Sequence, residues 1–121
     1  MKHVLVVDDS PVIRKIARRI LDGMRFQTSE ASDGKDALAA CSLQMPDAIL
    51  VDANMPVLDG FGFLKQLRRL PGGDWPKVVF CASEYDIAQI ARAMHSGADD
   101  VIMKPFDKEL VRSKFEAIGL D

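Results

Sequence analysis

The sequence predicts a doubly wound α/β sandwich built on one five-stranded parallel sheet, and three observations lead to it. Short apolar runs alternate five times with stretches of helical periodicity. Three of those runs, "HVLVV", "DAILV" and "KVVFCA", are nearly continuous in apolar residues, as strands covered on both faces are. The connections are short, which suits right-handed βαβ crossovers between layers.

Each element follows in order. The first strand is "HVLVV", residues 3–7. Ser10-Pro11 then supplies a helix N-cap and a proline at the first helical position. Over 11–23, Ile13, Ile16, Ala17, Ile20 and Met24 are expected on one apolar stripe, with Gly23 as the stop. The run "FQTSE", 26–30, is polar and alternating, so it reads as an edge strand. Strands at 47–51, 77–82 and 100–103 and helices at 34–43, 58–70, 86–96 and 106–118 complete five βα units.

A chain of 121 residues is close to the commonest domain size, so one domain over 1–121 is expected. Hydrophobic residues make up 48% and charged residues 28%, as in ordinary globular proteins. Sixteen basic against eighteen acidic side chains leave a formal charge of −2, which gives no global attraction to nucleic acid or an anionic membrane. Cys41 and Cys81 are too few for a disulfide scaffold and read as reduced thiols, hence a cytoplasmic protein. The apolar start is five residues long and runs into two aspartates, so it is neither a signal peptide nor a membrane span.

Right-handed crossovers put the carboxyl ends of all strands on one edge, where sites lie in this architecture. There the first strand ends in Asp8-Asp9, the third in Asp52, the fourth in Ala82-Ser83 and the fifth in Lys104-Pro105. Singly, each is ordinary turn chemistry. Together, three carboxylates converging without compensation would repel at a cost of several kcal/mol. Such a cluster makes sense for a hard divalent cation such as Mg2+, which takes oxygen ligands. An aspartate beside that cation, with a lysine opposite, is also a good phosphoryl acceptor.

The stretches "VLVVDDSPVIRK", "DAILVDANMPVLDGFGFLKQLR" and "GADDVIMKPF", in this order and at these separations, resemble the receiver domain of two-component response regulators over the whole chain. The resemblance implies a single-domain, CheY-like, flavodoxin-like three-layer fold with strand order 2-1-3-4-5. It implies that Asp52 is the phosphoacceptor, supplied by a histidine kinase or histidine phosphotransfer protein. Asp9 is then expected to ligate Mg2+ directly and Asp8 through water, with Asp52 and the backbone carbonyl of Asn54 completing the protein ligands. Lys104 pairs with the phosphoryl oxygens, Pro105 follows a cis bond, and Asn54 and Glu84 tune dephosphorylation. Apart from its own phosphorylation and dephosphorylation, such a domain is no enzyme.

Two positions depart from the pattern. Receivers usually carry Thr or Ser at the end of strand four and Tyr or Phe in strand five. Counting back from Lys104 puts Ala82 and Val101 there. Backbone amides at 82–83 could still bind the phosphoryl group. Strand side chains alternate faces, so Ser83 points away from where Ala82 points unless the strand end is bulged. Ser83 therefore has two readings, a cap of the following helix or a phosphate contact.

A pseudo-receiver that binds without phosphorylation is the main alternative, and an anionic messenger held by Arg14, Lys15, Arg18, Arg19, Arg68 and Arg69 is its variant. A phosphohydrolase of this fold would need a second aspartate where Asn54 stands, and a flavodoxin a Ser/Thr-rich loop where "DDSP" stands. Output is expected by contact with a downstream protein. The docking surface is expected around Pro11, Val12 and the 86–96 helix, in a monomer or weak dimer without a DNA-binding domain or membrane segment.

Overall fold

The computed structural model describes residues 1–82 and 87–120. Five strands alternate with five helices: β1 (His3–Val7), α1 (Pro11–Gly23), β2 (Gln27–Ala31), α2 (Gly34–Leu43), β3 (Ala48–Asp52), α3 (Gly60–Leu67), β4 (Lys77–Ala82), α4 (Ile87–His95), β5 (Asp100–Met103) and α5 (Lys108–Ala117). The strands form one sheet in the order β2-β1-β3-β4-β5, every pairing parallel. Val7 pairs with Val51, Asp52 with Cys81 and Ala82 with Met103, so the strand ends sit side by side at one edge.

Period-two alternation divides the core into two layers. Leu5, Val7, Ile49, Val51, Val78, Phe80, Ala82 and Val101 face α2, α3 and α4, where Ala37, Phe63, Leu64, Leu67 and Ala93 meet them. Val4, Val6, Leu50, Val79, Cys81 and Ile102 face α1 and α5, against Ala17, Leu21, Val111 and Phe115. Both cysteines are buried and free, and burial raises the thiol pKa of each, that of Cys41 to about 11. The second strand is an edge strand, as its polar pattern predicts.

Helix starts follow side-chain chemistry. Ser10 Oγ accepts from the Ile13 amide (3.3 Å), and Asp33, Asp59 and Asp107 cap α2, α3 and α5 in the same way at 2.8–2.9 Å. One sequence expectation in α1 is corrected. Ile16 is 42% exposed, and Leu21 fills the core instead, because at 100° per residue Ile16 falls at the margin of the Ala17–Leu21 face. Helix α1 ends at Gly23, as expected, and Arg25 takes the positive φ of 67° just beyond it. Phe26 leaves the predicted strand and packs on Phe115, ring centroids 5.7 Å apart. Helix α3 is shorter than 58–70 because Asp59 caps it and Leu58 is held in the turn before it.

That turn is strained. The Leu58 amide donates to the Pro56 carbonyl (2.8 Å) around Val57 at φ 71°. This is a γ-turn with a β-branched residue in the left-handed region. Leu58 is pinned from the other side, since its carbonyl accepts from the Gly34 amide (3.2 Å) and a Cβ on Gly34 would come within 2.5 Å of it. Val57 itself is 77% exposed and has no packing to lose. Val57→Gly is therefore expected to raise stability by about 1 kcal/mol, the relieved strain exceeding the added chain entropy. Urea unfolding checks this, and a loss of stability would show that the turn is unstrained.

Candidate functional site

Two strand ends build an acidic rim. Asp8 follows β1, Asp52 ends β3, and one carboxylate oxygen from each of Asp8, Asp9 and Asp52 lies within 4.8 Å of the others. Asp8 and Asp52 are buried (2% and 6% exposed), while Asp9 is open to solvent. Buried like charges need a counter-charge. Lys104, just beyond β5, supplies it: its Nζ lies 2.7 Å from Asp8 Oδ2 and 3.5 Å from Asp52 Oδ1. The Lys104 amide donates to the Ala82 carbonyl (2.8 Å), and the Lys104–Pro105 bond is cis.

Asp8 is fixed by three further contacts. Its Oδ1 accepts from the Ser10 amide (2.9 Å), its amide donates to Ala31, and Arg14 Nη1 donates to its carbonyl (2.7 Å). The ammonium sits nearer Asp8 than Asp52, so Asp52 is incompletely compensated. Burial pushes the Asp52 carboxyl above its usual range, Asp8 adds to that, and Lys104 and the Asn54 amide pull the other way. Burial alone would lower the Lys104 ammonium, but the Asp8 hydrogen bond and both carboxylate charges outweigh it and raise its pKa. A buried oxygen donor set of this kind fits a small hard cation.

Ala82 and Val101 are both buried on the face that meets α3 and α4, Ala82 beside Met103 and Val101 beside Phe80 in the register. Asn54 is exposed, and its Oδ1 accepts from Gln89 Nε2 (3.3 Å), joining the loop after β3 to α4. Ser83 and Glu84 lie outside the described residues, as does any capping by Ser83.

Sequence reasoning missed two contributors. Gly60 stands at the first turn of α3, where a Cβ would come within 2.6 Å of the Asp52 carbonyl and 2.9 Å of Phe80 Cε1. A glycine at a position that any good helix former could fill was the only signal. Arg14 belongs by sequence to the basic set that could hold an anionic messenger. Instead Arg14 and Arg18 clamp Glu30 (2.9 and 2.6 Å), and Arg68 binds the Gly73 and Pro76 carbonyls and pairs with Asp99. That leaves Lys15, Arg19 and Arg69 of the basic set without such partners among the described residues.

The family model described as the response regulator receiver domain matches residues 4–116. The chain is 35% identical over 116 residues to the response regulator MprA of Mycolicibacterium vanbaalenii, covering 96% of this chain and 49% of that one. It is 35% identical over 117 residues to a probable transcriptional regulator, ycf27, of Guillardia theta, covering 97% and 45%. The chain thus spans about half the length of these curated relatives. Among solved structures, the chemotaxis protein CheY4 of Vibrio cholerae superposes with a TM-score of 0.92 at 30% identity over 98% of both chains. The receiver domain of sensor histidine kinase PA1611 from Pseudomonas aeruginosa, solved with a magnesium ion coordinated in its active site cleft, gives 0.86 at 27% over 98% of both. Among the described residues, no helix is long and apolar enough to cross a membrane.

Proposed function

Since the chain belongs to the response regulator receiver domain family, whose general function is phosphorylation-driven signalling in two-component systems, we propose that Asp52 accepts a phosphoryl group from a phosphohistidine of a histidine kinase or phosphotransfer protein. The observation that carries the reading is the convergence of Asp8, Asp9 and Asp52 with Lys104 as counter-charge. An Asp52 carboxylate oxygen forms the new P–O bond as the P–N bond to the imidazole breaks, and the leaving imidazole takes up a proton. Lys104, already 3.5 Å from Asp52, shifts its ammonium from Asp8 toward the transferred oxygens. Asp8, Asp9, Asp52 and the Asn54 carbonyl would hold Mg2+, which when bound neutralises charge on the transferring oxygens. Incubation with a small phosphodonor and Mg2+ should add one phosphoryl mass to the wild type and none to Asp52→Asn. An unmodified wild type would instead support the pseudo-receiver reading.

Output is proposed to leave by rearrangement of the loops around Asp52, through contact with a downstream protein. Support comes from Ala82 and Val101, neither of which can form a hydroxyl–aromatic relay. The Gln89–Asn54 bond and the strained Val57 turn are loop elements able to respond. The exposed apolar residues Val12, Ile16, Ile87 and Met94 are proposed as docking contacts. Ala82→Thr is expected to lengthen or shorten the phosphorylated lifetime more than Ser83→Ala does, by about tenfold if its hydroxyl reaches the phosphoryl group. Decay of the phosphorylated mass with time measures it. A larger effect of Ser83→Ala would mean that Ser83, not position 82, faces the phosphoryl group.

A further inference from the structure

A second feature lies away from the acidic rim, on the outer face of α3. Two adjoining grooves of about 620 and 590 Å³ run along the two sides of this helix, one toward α4 and one toward α2. They share Gly62, Lys65 and Arg69, which form the ridge between them. Lys65 on α3 and Arg69 in the turn just past it are exposed, and their side chains are without an ion pair or hydrogen bond among the described residues. Arg92 lies over the Phe61 ring at 4.0 Å and adds a further cation on the α4 side, beside Arg68, which is held by the Gly73 and Pro76 carbonyls and Asp99. The single acidic residue lining either groove, Asp59, already caps α3. Leu38 and Leu70 supply apolar floor on the α2 side.

We propose that this ridge and its flanking grooves are a docking site for an acidic amphipathic segment of a partner protein. Charge complementarity selects the occupant: Lys65, Arg69 and Arg92 line the grooves, whose one carboxylate, Asp59, is already engaged in capping α3. Carboxylates one helical turn apart would meet Lys65 and Arg69, while apolar side chains on the same segment cover Leu38 and Leu70. The grooves lie open along the helix, as a peptide needs. Their wall also adjoins the rim, since Phe61 packs near Phe80 (5.1 Å between centroids) and follows Gly60, where even a Cβ would meet the Asp52 carbonyl. Docking itself does not depend on phosphorylation, and it is tested on Asp52→Asn protein so that failure of the phosphoacceptor reading leaves the result intact.

The probe is an about 15-residue helical peptide with Glu at i, i+4 spacing and Leu on the adjoining positions, titrated by fluorescence anisotropy at two salt concentrations. Micromolar, salt-sensitive binding is expected, weakened about tenfold or more by Lys65→Glu/Arg69→Glu and left unchanged by Lys15→Glu/Arg19→Glu on α1. Amide resonance shifts should fall on residues 61–70 and 92–96. Absence of binding, equal weakening by both charge reversals, or binding of inorganic tripolyphosphate in place of the peptide would each overturn the proposal. Both substituted pairs are exposed, and circular dichroism verifies that each variant is folded.

Discussion

Lys104→Met should lower stability by about 3 kcal/mol when measured by urea unfolding without divalent cations. The side chains of Asp8 and Lys104 are 3% and 16% exposed, and their contact is 2.7 Å. Removing the ammonium leaves two buried carboxylates facing each other with no cation, and breaking a buried pair costs far more than an exposed one. The loss is electrostatic, so Asp8→Asn in the Lys104→Met background should recover much of it. Addition of Mg2+ should also recover part of it, because a cation bound only by the folded state stabilises that state. A loss below about 1 kcal/mol, or no recovery in the double variant, would mean that packing and not charge holds this corner.

Gly60→Ala is expected to cost about 3 kcal/mol and to slow phosphorylation of Asp52 as well. A methyl group there meets the Asp52 carbonyl at 2.6 Å, Phe80 Cε1 at 2.9 Å and the Ala53 Cα at 3.1 Å. Two of those contacts are backbone, which cannot rotate away. The Gly60 amide is also bonded to the Ala53 carbonyl (3.1 Å), so α3 can retreat only by breaking that bond or dragging β3 with it. Phosphorylation should slow because Asp52 moves relative to Lys104, and small misplacements of a reacting group are costly. Gly62→Ala, whose Cβ meets the movable Leu58 Cδ1, should cost less. Equal effects of the two substitutions would contradict this account of α3 docking.

Much of this architecture is legible in the residues because its signals are local. Apolar runs broken by Asp8, Asp52 and Lys104 mark strand ends, and right-handed crossovers bring those ends to one edge. Ser10-Pro11 marks the start of α1, where the Ser10 hydroxyl accepts from the Ile13 amide. What escapes such reading depends on distances between elements. Ile16 fits a helical stripe by spacing, yet only packing shows that Leu21 takes the core position. Gly60 and Gly34 matter because carbonyls of other segments lie against them, and Arg14 because Glu30 and the Asp8 carbonyl are within reach. Arg68 reads as a free cation, whereas three backbone and side-chain partners engage it. The position of Val57 in a left-handed turn contradicts its own preference, so no propensity argument would place it there.

The central claim is that Asp52 carries the phosphoryl group, and borohydride reduction after phosphodonor treatment tests it most directly. Reduction of an aspartyl phosphate leaves homoserine, which peptide mass analysis locates to a single residue. The account predicts homoserine at position 52 in the presence of Mg2+, sharply less after chelation, and none at positions 8 or 9. Homoserine at Asp8 or Asp9, or an unmodified position 52 in protein that has gained phosphoryl mass, would contradict it.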